Sequence, residues 1–321
     1  MATVVEGTLP AKRSAARVRR FRQFAWAVLG YNVLVVLWGA YVRASGSGAG
    51  CGGNWPLCNG QVLPRAPQIQ TIVEFSHRVM SGLALFAVVS LCLAAFRLFP
   101  RGHRLRRLSA ASVVFLCVEA LLGAGLVLFD YVAHNASIGR AIYLAAHLTN
   151  TLLLLASLAA TAWYAASRPI ELKLKEVPWL FWSALPLAIL VSITGSIAAL
   201  GDTLFPSTTL AAGMHQDFSP AASFLVRLRL VHPIVAAVSA LLFVVVAAYA
   251  LRTVSRPTMR VLAMVVILST VAQLCAGLVN LALLAPVWMQ ILHLFLADVV
   301  WIALVLFVAE AAVPVRVTFQ R

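Results

Sequence analysis

Four of the seven histidines, His77, His147, His232 and His293, lie inside long apolar runs. An ionisable side chain in hydrocarbon is costly and faces a bundle interior with a partner. Taken singly, each imidazole reads most simply as a packed, hydrogen-bonded side chain; four in one register point instead to paired ligands. Counted from the estimated starts of their runs, they sit roughly 5 to 10 residues in, about 8 to 15 Å deep at the rise of a helix. Two imidazoles on facing helices suit a haem iron, which takes one ring nitrogen on each face of a flat, apolar macrocycle. Zinc or copper would gather three or four donors, often with carboxylate or thiolate among them. A proton path would spread carboxylates through the whole thickness, and the apolar runs hold few.

Further chemistry-bearing groups cluster around these four. Haem propionates need cations at the wet edge. Arg78 follows His77, Arg140 precedes His147 by seven residues, Arg227 and Arg229 precede His232 by five and three, and Arg43 ends the first apolar run. Each alone is an interfacial anchor for lipid headgroups; together they are candidate propionate contacts. Glu74 stands three residues before His77 on the same helical face. It is either a general base or stabiliser of developing positive charge, or a helix-end acid open to headgroup water. Arg229-Leu230-Val231 precede His232 with no acid, so one site is expected to react and the other to serve. Glu119 and Asp298 lie mid-span, as orienters of a ligand imidazole or as interhelical hydrogen-bonding groups. His103, His134 and His215 read as solvated loop histidines.

The scaffold for these groups follows from composition. Of 321 residues, 62% are hydrophobic and 11% charged, and the mean hydropathy is +0.94. That excludes a soluble globular enzyme and a disordered chain. Eight runs are long enough to cross a bilayer as helix: Phe24–Tyr41, Ile72–Leu98, Leu108–Phe129, Gly139–Ala165, Val177–Leu200, Ala222–Leu251, Arg260–Leu283 and Pro286–Ala311. The net charge of +15 is a matter of topology. Nineteen of the 25 Lys and Arg, from Lys12, Arg13 and Arg17 through Arg97–Arg107, Arg168 and Arg256 to Arg316 and Arg321, fall on one side, and six on the other. The excess marks the cytoplasmic side, so both termini are expected there, the first loop outside, and no nucleic acid is needed as partner. The first run is read as a retained helix, without a persuasive cleavage site. Cys51 and Cys58, seven apart in that first loop, can close a disulfide across Gly52, Gly53 and Pro56 where the compartment allows oxidation. A redox role, a loop staple and two unpaired thiols all remain open. Cys92, Cys117 and Cys275 fall within spans as small apolar packers. The outer loop Gly201–Ala221 is too long for a tight turn.

A weak repeat runs through the chain. Leu121–Val127 matches Gln273–Val279 at an offset of 152, and His77 with His232 and His147 with His293 recur at 155 and 146. The expected fold is therefore all-α, eight transmembrane helices as two repeated four-helix bundles. The expected units are a basic segment 1–23, a bundle 24–165, a linker 166–176, a bundle 177–311 and a tail 312–321.

At this point the chain resembles the haem A synthase family. The resemblance is carried by Gly39–Gly48, by Cys-Gly-Gly-Asn-Trp-Pro-Leu-Cys from Cys51 to Cys58, and by Glu74-Phe75-Ser76-His77-Arg78. His147-Leu148-Thr149-Asn150, Val231-His232-Pro233 and Leu292-His293 extend it over essentially the whole chain. It implies oxidation of the C8 methyl of haem O to the formyl group of haem A, for cytochrome oxidase, in a cell membrane. It further implies that His77 and His147 ligate the substrate haem, that His232 and His293 ligate a bound haem b, and that Glu74 is needed for activity. Some members carry a second cysteine pair in the corresponding loop of the second half, and this sequence has none. Expected partners are the enzyme that makes haem O, an unidentified electron acceptor or donor, and the bilayer, with a homo-oligomer left open. Two other readings compete: a non-catalytic di-haem, quinol-linked electron-transfer module, and a transporter whose inward histidines form a proton path.

Overall fold

The computed structural model describes residues 9–166 and 172–313, with side chains from residue 15 onward. Ten helices and no strand occur among the described residues. They are α1 (Leu9–Ala44), α2 (Ile69–Leu98), α3 (Arg104–Leu128), α4 (Ile138–Tyr164), α5 (Trp179–Leu204), α6 (Leu210–Phe218), α7 (Phe224–Leu228), α8 (Val231–Thr253), α9 (Pro257–Ala282) and α10 (Val287–Ala311). Eight helical segments among the described residues are long and apolar enough to cross a membrane, the sixth made by α7 and α8 together. Arg168, Arg316 and Arg321 of the basic count lie outside the described residues, as do 167–171 of the expected linker and 314–321 of the tail.

Three boundaries differ from expectation, each for a local reason. Helix α1 starts at Leu9 rather than Phe24, because the Ala- and Arg-rich stretch before Phe24 contains good helix formers. The basic segment is thus largely the first helix. The sixth span breaks at Arg229–Leu230. Pro233 explains it, since its ring would clash with the carbonyl four residues earlier, at Arg229, in a continuous helix. In the first turn of a new helix the missing N–H is harmless, so Val231 begins α8 and His232 sits in its first turn. The loop 201–221 is not a plain loop: α5 runs to Leu204, and α6 starts where the Thr209 side chain accepts from the Ala212 amide. His103 is likewise no idle loop residue. Its Nδ1 caps α3 by accepting from Leu105 N, and partial burial with Arg104 alongside holds the imidazole below its usual range, keeping that nitrogen an acceptor.

Helices α4 and α10 are the most enclosed and lie back to back at the centre. Leu155, Leu158, Ala159, Leu304 and Phe307 fill the seam between them and their neighbours. In lipid such contacts stabilise by close packing rather than by release of water. Interhelical hydrogen bonds add to it: Trp301 Nε1 to Leu152 O at 2.7 Å, Tyr164 Oη to Ala309 O at 3.0 Å, and Ser112 to Ser157 at 2.8 Å. Around the seam, α1 packs on α2, α4 and α10, and α5 on α4, α8 and α10. Phe86, Leu121, Ile234 and Leu278 face outward, as a lipid-facing surface requires.

Candidate functional site: four seated imidazoles

All four histidines sit near the end of the bundle that carries the first loop, and each half-buried ring faces a glycine of the preceding long helix, α1, α3, α5 or α9. A methyl group at Gly39 would come 2.9 Å from His77 Cε1, one at Gly195 2.9 Å from His232 Cε1, and one at Gly277 3.0 Å from His293 Cε1. At Gly123 the distance to His147 Cε1 is 3.9 Å, an ordinary contact. These glycines were not read from the sequence. The signal was there, because Gly39 and Gly195 recur at an offset of 156, near that of the histidines. By contact, Gly123 corresponds to Gly277, an offset of 154 rather than 152; Gly125 packs on Tyr143 instead.

The second pair faces one another across a short gap. The ring centroids of His232 and His293 lie 6.4 Å apart with planes at 84°. Two imidazoles each placing a nitrogen about 2 Å from one metal between them need a separation of about 6 Å. Thr194 Oγ1 lies 3.1 Å from His232 Nδ1, which leaves Nε2 for a ligand. Gln273 Nε2 lies 3.3 Å from His293 Nε2, and His293 Nδ1 is buried without a partner. Each ring therefore keeps one nitrogen uncommitted. Asp298, 1% exposed, reaches neither histidine, and its Oδ2 has no partner among the described residues.

In the first pair, His77 Nδ1 is buried and has no partner among the described residues. His147 Nδ1 lies 3.2 Å from Glu119 Oε1, an ion-pair distance with an oblique angle. The Glu119 carboxylate is itself held by Thr151 Oγ1 and by Asn150 Nδ2, which also donates to Phe115 O. Thr149 bonds only its own helix, to Ala145 O.

Glu74 is buried, and both its oxygens are engaged. Oε2 accepts from the backbone N–H of Cys51 at 2.8 Å, and Oε1 pairs with Arg78 Nη2. Arg78 Nη1 in turn donates to the carbonyls of Asn54 and Leu57, both at 2.7 Å. The expected pair Cys51–Cys58 is a disulfide. Thr71 adds a bond to Gly50 O at 2.8 Å, and Gly50 lies so close to Gln70 that a methyl group there would meet its carbonyl at 2.4 Å. The loop is clamped to the first turns of α2. Sequence spacing placed Glu74 on the face of His77, and tertiary contact adds that it grips this loop.

The five arginines divide. Arg229 is neutralised by Asp202 at 3.1 Å and Asp217 at 2.6 Å, with Gln216 Oε1 at 3.0 Å, which fastens α6 over the start of α8. Arg227 donates to the carbonyl of Pro220. Arg43 reaches from α1 to Ala199 O and Thr203 Oγ1 on α5, both at 3.0 Å, and to Gln290 Oε1 on α10 at 3.2 Å. Arg140, 4% exposed, donates to the carbonyls of Ala133 and Asn135, while its Nε is unpartnered. Neither Arg43 nor Arg140 has a carboxylate at ion-pair distance among the described residues. An uncompensated buried charge costs about 3–5 kcal/mol, which the anionic edge of a ligand would offset. One pair of imidazoles around an iron-sized gap, and a buried and a half-buried guanidinium without carboxylate partners among the described residues, thus fit a haem with its propionates.

Comparison with known proteins agrees in kind. The family described as COX15-CtaA, cytochrome oxidase assembly protein, matches residues 22–305. A protein of Thermus thermophilus named protoheme IX farnesyltransferase is 48% identical over 296 residues, covering 91% of this chain and 48% of that protein. The chain thus spans about half the length of that relative. Heme A synthases of Alkalihalophilus pseudofirmus and Bacillus mycoides are 43% and 39% identical over 97 and 113 residues, covering 30% and 35% of this chain and 33% and 36% of theirs. With a match that runs from the first helix into the last, the chain belongs to the COX15-CtaA family of cytochrome oxidase assembly proteins.

Proposed function

We propose that this protein oxidises the C8 methyl of haem O to a formyl group and so supplies haem A to cytochrome oxidase. The carrying observation is the 6.4 Å separation of the His232 and His293 rings, a spacing that suits a single resident iron, taken here as haem b. His77 and His147 are assigned to the substrate haem, and Arg140 and Arg43 to propionates. Arg78, Arg227 and Arg229 act mainly on loops and on α6. Support comes from the shared seating of all four rings on glycines, which also favours a duplicated fold of two bundles, 24–165 and 177–311. The positive-inside distribution supports cytoplasmic termini, an extracytoplasmic first loop and a place in the cell membrane.

Methyl to formyl is an oxidation that side chains cannot perform, and bound haem supplies the redox chemistry. The chain's own residues orient, exclude water and handle protons. Glu74, one turn before His77, is placed to hold a proton or a water beside the substrate, with Arg78 fixing its carboxylate. The electron acceptor is a separate partner, and an enzyme of the farnesyltransferase class hands over haem O.

Glu74→Gln keeps an acceptor for Cys51 N–H, unlike Glu74→Ala, and is the cleaner test. Co-expressed with a haem O-producing enzyme, the variant should retain haem yet yield no aldehyde-bearing haem on chromatography of extracts. Normal haem A yield would remove Glu74 from the chemistry. One observation favours a second reading: both Glu74 oxygens are already engaged, as suits a loop clasp in a non-catalytic di-haem electron-transfer module. That reading is supported if the wild-type protein binds haem and forms no aldehyde.

A further inference from the structure

The two histidine pairs differ in what stands behind them. His147 has a carboxylate 3.2 Å from its Nδ1, an ion-pair distance at an angle too oblique for a hydrogen bond, and the carboxylate is fixed by two further donors, Asn150 and Thr151. His232 has a neutral hydroxyl, Thr194, at the same ring nitrogen, and His293 has a neutral amide, Gln273, at its other one. Among the described residues, no Lys or Arg lies at ion-pair distance from Glu119.

A ligand imidazole with a carboxylate beside its second N–H is favoured in the tautomer that leaves Nε2 for the metal, and becomes the more basic donor. A more basic axial ligand stabilises the oxidised iron over the reduced one, so the reduction potential falls. A hydroxyl or amide has no full charge with which to do the same. From the placement of these groups we infer that Glu119 is a positioning residue, setting His147 so that the iron of the first site is more easily oxidised than it would be with a neutral neighbour. This deepens the proposed function and rests on it, because it needs iron at both histidine pairs. It gives the four matching ligands different electronic duties: the substrate site is biased toward giving up electrons, and Thr194 and Gln273 leave the second site without that bias.

The test is spectroelectrochemical titration of purified protein loaded with haem b at both sites, comparing wild type with Glu119→Gln. His77→Ala and His232→Ala variants identify which signal belongs to which site. In Glu119→Gln the first site should shift at least tenfold toward reduced iron at a fixed potential, about 59 mV upward for one electron, while the second stays unmoved. The unmoved second site doubles as the folding control. Two bound haems with an unshifted first site overturn the inference and leave the proposed function standing. Wild-type protein that binds no haem, or binds it independently of the histidines, overturns the proposed function itself.

Discussion

The loop after α1 and the loop after α5 face the same end of the bundle and are secured by different means. The first is held by a disulfide, by Glu74 on the Cys51 amide, and by Arg78 on two carbonyls. The second carries the nine-residue helix α6, and one guanidinium, Arg229, ties it to Asp202 and Asp217. Beneath them, three imidazoles lie where a methyl group on the facing glycine would come within 2.9 to 3.0 Å, and the fourth, His147, has room and a nearby carboxylate. On the proposed function, similar seats under unlike covers would separate what holding a haem requires from what treating one as substrate requires. The acid and the clamped loop occur only in the first half.

The largest effect should come from the rings themselves. His293→Ala is expected to remove one haem equivalent per protein and keep the other, and His147→Ala to do the converse, measured by haem content and low-spin spectra. Loss of both from either variant would make the two sites one unit and dissolve the comparison. Next come the seats. Gly195→Ala and Gly277→Ala should displace their imidazoles and weaken haem retention at the second site about 10–100-fold, the range for disturbed supports of a metal ligand. Gly123→Ala, against open contact, should do little at the first, and an equal loss at Gly123 would show that clearance is not what the glycines provide.

Third is the second cover. Arg229→Ala leaves Asp202 and Asp217 unpaired and should cost about 2–3 kcal/mol, read as a lower thermal midpoint and faster proteolysis near α6. Last is the first cover, where replacing Cys51 and Cys58 by Ala should cost about 2.5 kcal/mol for so short a closed loop. Arg78 and Thr71 should still hold the loop, so proteolysis there should change less than near α6 in Arg229→Ala. The reverse order would assign the greater mechanical role to the disulfide.

Much of the fold could be read from the sequence because apolar length and sparse charge are local properties. The eight crossings and the four intramembrane histidines were visible for that reason. What escaped was relational. Glu74 has the spacing of a catalytic acid, yet the group it meets is the amide of Cys51, 23 residues earlier. Arg43 read as a propionate contact or headgroup anchor, and its partners lie 156 to 247 residues away. Glycines in helices ordinarily signal weakness, so Gly39, Gly195 and Gly277 were passed over, although Gly39 and Gly195 recur near the offset of the histidines. Pro233 is the opposite case: the break before α8 was legible by a rule of backbone sterics and was passed over because hydropathy ran through it.

Arg43 also bears on how the chain can be divided. The stretch 166–176 looks like a natural place to cut, yet a polypeptide ending there would keep the guanidinium and leave all three of its acceptors on the other fragment. Two separately translated pieces should therefore be recovered together from detergent, with one tagged piece drawing out its untagged counterpart.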